Sequence, residues 1–192
     1  MCHRIPGLRL ALALAAALFL GWSPASAQAQ TETFTATASL KTGAGAQKTA
    51  PVTIVLTRLT TDKERDAVVD SLKKGGTSGV VQSLKAMGDA GYIEVGARRT
   101  PVKYAYVRPV GGGRLITVIA PAPIAYLGAD LPEAKPKAGF DLALAVLQVK
   151  EGGDGFGELA PAATVRVNDT GAIQTQDYGA EAVRLTNVQA KK

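Results

Sequence analysis

The chain has 192 residues, 46% hydrophobic and 20% charged, with a formal net charge of +6 and one residue each of cysteine, histidine and tryptophan. Those three are Cys2, His3 and Trp22, all near the start, so whatever follows has no thiol and no imidazole. Beyond Trp22 this excludes Ser-His-Asp and Cys-His nucleophiles, Cys/His zinc sites, disulfides, haem attachment and thiol redox chemistry.

The first segment, "MCHRIPGLRLALALAAALFLGWSPASAQAQ", sets Arg4 and Arg9 before an apolar run from Leu10 to Leu20, then Pro24 and Ala25-Ser26-Ala27. This is the layout of a secretory signal peptide over residues 1–27, cleaved near Ala27 or Ala29. The apolar run is too short for the ~20 residues of a spanning helix. Export to the periplasm or beyond is the expectation, with no transmembrane segment after processing. Cleavage removes two arginines and lowers the net charge from +6 to +4. Residues 28–192 are long enough for a single globular domain with its own core.

In "TETFTATASL", from Thr31, Phe34, Ala36, Ala38 and Leu40 share one face and the threonines the other, the pattern of a half-buried strand. "KTGAGAQKTA" reads as a connection, and "PVTIVLTRLT" from Pro51 as a second, β-branched strand. Thr61 and Glu64 form the T-x-x-E capping box of a helix with a stripe of Ala67, Val68 and Leu72, stopped by Gly75-Gly76. Thr77 then caps a second helix carrying Val80, Val81, Leu84 and Met87. The pair predicts a helical hairpin whose stripes pack on a sheet or on each other.

From Tyr92 the period returns to two. "YIEVGARR", "VKYAYVRP" and "RLITVIAP" read as three strands, broken at Thr100-Pro101 and at Gly111–Gly113. Pro121 to Gly139 is a proline-bearing connection, either a lid over a cleft or a stiff crossover, with Tyr126 and Leu127 as its anchors. "FDLALAVLQVK", "ELAPAATVRVN", "AIQTQDY" and "AVRLTNVQ" complete an expected α+β fold. It has about eight or nine mostly antiparallel strands, as a sandwich or partly open barrel, with an inserted two-helix hairpin.

The blocks "GGGRLITVIAPAPI", "FDLALAVLQVKEGGDGFGELAPAATVRVNDTGAI" and "VRLTNVQ" resemble a family of exported bacterial proteins, a domain of unknown function. The likeness spans roughly Tyr104 to Gln189. It implies a bacterial exported protein, and it carries over no functional residue.

Three constellations bear on function. "KEGGDGFGELA", Lys150 to Ala160, offers Glu151, Asp154 and Glu158 as oxygen ligands for calcium. The β-roll pattern G-G-x-G-x-D occurs there once and imperfectly, whereas Asp154-Gly155 is a strong hairpin signal, so a turn is the favoured reading and no metal or cofactor is assigned. The second is a basic segment: Arg98, Arg99, Lys103, Tyr104, Tyr106 and Arg108 are the candidate ligand-binding residues. Val102, Tyr104, Tyr106 and Arg108 are expected on one strand face. There tyrosines can stack on a ring and arginines can bind phosphate or carboxylate; the bland alternative is a solvated sheet face. In an exported chain the partners to expect are an envelope polyanion, a glycan or a protein, and not nucleic acid. The third is carboxylate chemistry, through Glu94, Asp141, Glu151 and Glu158, with Asp141 either facing the interior by its alternation or sitting at the rim, since it opens its strand. No catalytic residue is assigned. The leading reading is an exported non-enzymatic binding protein. A histidine-independent carboxylate hydrolase of glycosidase type and a purely structural or assembly protein are the alternatives.

Overall fold

The computed structural model describes residues 31–41, 45–124 and 135–191. The expected signal peptide over 1–27 lies outside the described residues, as do Tyr126 and Leu127 of the long connection.

Ten strands and one helix follow one another in the order β1 (Glu32–Lys41), β2 (Gln47–Leu56), α1 (Asp62–Lys85), β3 (Gly91–Val95), β4 (Arg98–Val102), β5 (Tyr104–Val110), β6 (Gly113–Ala120), β7 (Leu142–Lys150), β8 (Asp154–Val167), β9 (Ile173–Tyr178) and β10 (Val183–Lys191). Nine of them form one path, β4-β3-β2-β1-β10-β8-β7-β6-β5, with β9 paired to β8. Every neighbouring pair is antiparallel, and the sheet curls into a nearly closed barrel in which β10 is inserted between β1 and β8.

Its two path ends are adjacent in sequence. β4 and β5 stand first and ninth among antiparallel neighbours, so they run the same way, and only Lys103 separates them. They are two halves of one bent strand, the first paired to β3 and the second to β6. At the bend, Lys103 N–H donates to the Ile119 carbonyl at 3.1 Å, while Tyr104 is the residue paired with Ile119. Two residues opposite one make a β-bulge. The exposed edge beside it is closed by Thr60, which is 5% exposed. Its N–H donates to Ala105 O at 2.7 Å, and its Oγ1 accepts from Ala105 N–H at 2.9 Å.

The alternation of each strand divides the apolar residues between two cores. Phe34, Leu40, Ile54, Ile93, Ile116, Leu147 and Leu185 fill the barrel interior. On the outer wall, Tyr104, Ile119, Leu144 and Ala160 form a lateral row across β5 to β8. The helix covers that row with Val68, Val69, Leu72, Val80, Val81 and Leu84. Full burial of such side chains is worth roughly 1.5–3 kcal/mol each.

The capping box at Thr61 forms as the sequence predicts. Thr61 Oγ1 accepts from Glu64 N–H at 3.3 Å, and Thr61 N–H donates to Glu64 Oε2 at 2.8 Å. The predicted two-helix hairpin does not form. There is one helix with a break at Gly76 (φ 60, ψ −155), a left-handed φ that a residue without Cβ adopts at little cost. The bend brings Gly79 so close to Ser71 that a Cβ there would lie 2.4 Å from the Ser71 carbonyl oxygen. Thr77, expected as a cap, instead accepts a 3.0 Å hydrogen bond from Val165 N–H and ties the helix to β8.

The strand count also differs from expectation. The break expected at Thr100-Pro101 lies inside β4, and the turn is at Gly96-Ala97. Pro101 is tolerated because β4 pairs on one side only, along β3. β2 begins at Gln47, within the segment read as a connection.

Replacing Thr60 with Val keeps the shape but leaves the Ala105 N–H buried without its acceptor. Thermal or urea denaturation should show a loss of about 1–3 kcal/mol for Thr60→Val and a much smaller one for Thr60→Ser. Equal stability of both variants would mean that Thr60 does not close the seam.

Candidate outer-wall binding site

Beyond the row covered by the helix, the outer wall of the barrel is partly exposed among the described residues. The register fixes what it presents. Arg108, Leu115, Gln148 and Phe156 are paired in turn across β5, β6, β7 and β8. One step along the strands, Tyr106, Thr117, Val146, Glu158 and Arg184 make a second row that reaches β10. Leu115, Val146, Gln148, Phe156, Glu158, Arg184 and Thr186 line an open groove of about 700 Å³. That volume falls within the ~300–1,000 Å³ of ordinary small-molecule sites.

Phe156 is 56% exposed, the largest exposure of any large apolar side chain among the described residues. It stands between Gly155 and Gly157, which hold β8 close against β7. A Cβ at Gly157 would lie 2.5 Å from the Val146 carbonyl oxygen, and one at Gly155 would lie 2.1 Å from that of Gln148. Across the other edge, β10 is bulged between Leu185 and Val188, so Thr186 and Asn187 together face Phe156. Asn187 takes φ 53, a left-handed conformation in which asparagine is enriched. Bulges of this kind re-aim side chains beside binding sites.

Tyr178, 42% exposed, reaches down from β9 and donates its hydroxyl hydrogen to Glu158 Oε1. Partial burial, then the hydrogen bond to Glu158 and the charge of that carboxylate, push the phenol up to about 12. Arg184 faces Glu158 across the strands but makes no ion pair with it, and its guanidinium has no partner among the described residues. Arg108 Nη1 donates to the neutral Thr170 Oγ1 at 2.8 Å.

The six residues singled out in the sequence are divided among three places. Arg98 is exposed beside the β3–β4 turn. Arg99 is paired to Glu94 at 2.8 Å and lies over the Tyr92 ring at 3.9 Å. Lys103 pairs with Asp89 at 2.7 Å. Tyr104 is buried under the helix, which pushes its hydroxyl well above the usual tyrosine range. Tyr106 donates to Asp62 Oδ1 at 2.8 Å, a bond that raises its pKa with burial second. Tyr104, Tyr106 and Arg108 do share an outer face, with Arg65 beside them. Val102 does not: the bulge at Lys103 shifts the alternation and leaves it in the interior core.

"KEGGDGFGELA" turns at Glu151-Gly152-Gly153, one step earlier than the Asp-Gly signal indicates, and Asp154-Gly155 already belong to β8. Asp154 pairs with Lys150 at 3.3 Å. Among the described residues no three acidic, histidine or cysteine side chains cluster as metal ligands would. The four acids weighed for hydrolysis are spread apart. Glu94 is on β3, while Asp141 and Glu151 flank opposite ends of β7, roughly 30 Å apart at ~3.3 Å per residue. Asp141 is exposed ahead of its strand and does not face the interior. Sequence reasoning missed Gln148, Phe156, Tyr178 and Arg184. The signals were an aromatic residue between two glycines and Gln148 interrupting the apolar run of β7.

No protein-family model, curated protein or solved structure matches the chain.

Spectrophotometric titration checks the pairing of Tyr178 with Glu158. The raised midpoint should fall in Glu158→Gln yet stay above the model-tyrosine value of about 10, because burial is the larger cause. No change in that variant would mean that the two side chains are not coupled in solution.

Proposed function

We propose that this is an exported, non-enzymatic binding protein of the bacterial envelope, periplasmic or secreted, that takes an anionic, glycan or protein ligand on the outer wall of its barrel. Support for export comes from the layout of the N-terminal segment. One observation carries the binding assignment: the exposed Phe156, two residues along the same face of β8 from the Glu158 that Tyr178 holds, over a groove whose rim has Glu158, Gln148 and Arg184. An isolated exposed phenylalanine is ordinary. One held by two backbone close approaches, a facing bulge and a polar rim has the composition of a ligand site, an apolar platform with a few orienting polar groups. The basic segment contributes Arg108 and Tyr106 at the far margin of this wall. Arg98, Arg99 and Lys103 lie away from it.

Mass spectrometry of the protein recovered from a bacterial host should find a mature N-terminus near Gln28 or Gln30. Retention of Met1 would overturn the export reading.

Pull-downs from envelope extract should compare wild type with Phe156→Ala/Tyr178→Ala and with Arg98→Ala/Arg99→Ala. The aromatic double variant should lose retained molecules at an unchanged melting temperature, and the arginine variant should keep them. If all three proteins retain the same set, the outer wall is not the site.

A further inference from the structure

Resting on that reading of the outer wall, we propose that the ligand is an acidic oligosaccharide lying across the strands, with one ring stacked on Phe156 and its carboxylates held by Arg184 and Arg108. A pyranose presents an apolar face of C–H groups within a rim of hydroxyls. The groove has the matching arrangement, with the Phe156 ring and the Leu115 and Val146 side chains as platform. Gln148 offers both donors and an acceptor to hydroxyls, and Glu158 keeps acceptor capacity beyond the bond from Tyr178.

Charge selects the acidic member of the class. Arg184 faces Glu158 in register, yet the acid is taken by Tyr178 and the guanidinium is left without a partner among the described residues. Among the described residues Arg108 is held by the neutral Thr170. Each presents the planar fork that fits a carboxylate bidentately. Four strand steps separate β5 from β10, roughly 19 Å at ~4.8 Å per step, with the apolar and aromatic side chains between. A small anion cannot use both arginines. A chain that repeats ring faces and carboxylates can.

Isothermal titration with a galacturonate hexamer, with maltohexaose and with anionic phospholipid vesicles tests this on the mature protein. The galacturonate hexamer should bind at least tenfold tighter than maltohexaose, and the difference should shrink as salt rises. Phe156→Ala and Arg184→Gln should each weaken that binding about tenfold while leaving the melting temperature unchanged, since both side chains are exposed. Arg184→Lys should recover only part of the loss. Equal affinity for the two hexamers, or binding of vesicles alone, overturns the proposal. So does unaltered binding by Phe156→Ala. If neither hexamer binds while Phe156→Ala/Tyr178→Ala still changes the envelope pull-down, the saccharide assignment fails and the binding wall stands. If the pull-down is also unchanged, both fail.

Discussion

Everything outside the barrel depends on one irregularity in its backbone, the bulge at Lys103. Had β4 run into β5 without it, the alternation that places Val102 in the interior would also have placed Tyr104, Tyr106 and Arg108 there. One extra residue reverses the phase. Tyr104 then lies under the helix, and Arg108 stands on the wall. The same bend lets a single strand serve two neighbours, so the sheet comes close to closure. Thr60 satisfies the backbone groups of Ala105 that closure would otherwise leave buried without partners.

The helix determines how much of the wall is available. Its six buried side chains cover the lateral row through Tyr104, Ile119, Leu144 and Ala160 and stop there. In the next two rows Gln148, Phe156, Glu158 and Arg184 are exposed, whereas Thr117 is buried and Arg108 meets Thr170. The break at Gly76 is part of this fit: it lets both halves of the element press on a curved surface, and Thr77 fastens the turn to Val165. A straight helix of this length would leave a convex wall at one end. The groove is thus the part of the barrel that the insertion does not reach, and its shape comes from glycines and a bulge in β8 and β10.

Much of the fold could be read from the sequence because each strand buries one face. Phe34, Ala36, Ala38 and Leu40 fall on one face as predicted, and Thr61 with Glu64 caps the helix as its spacing requires. What misled was punctuation. Thr100-Pro101 looks like a break, but a proline costs nothing on the unpaired edge of β4. Gly75-Gly76 looks like a loop and is a kink. The site was harder to see, since it is lateral. Arg108, Leu115, Gln148 and Phe156 come from four strands and share no local pattern. Their proximity depends on registers that follow from turn geometry and bulges. The basic segment drew notice through its density in sequence, yet alternation and the bend disperse it, and Glu94 and Asp89 occupy two of its cations.

The barrel is completed by pairing its first strand with its last, Thr33 with Lys191 and Ser39 with Arg184. Each of β1 to β8 pairs with a sequence neighbour, so those hairpins can form early. The outer edge of β1 must wait for almost the entire polypeptide. Closure is therefore a late, high-contact-order step, and an unsatisfied strand edge stands open to neighbouring chains until it occurs. The alternating Thr33, Thr35, Thr37 and Ser39 keep one face of that waiting strand polar. Truncating β10 would part the sheet between β1 and β8 and leave both of those strand edges unpaired, a form prone to aggregate.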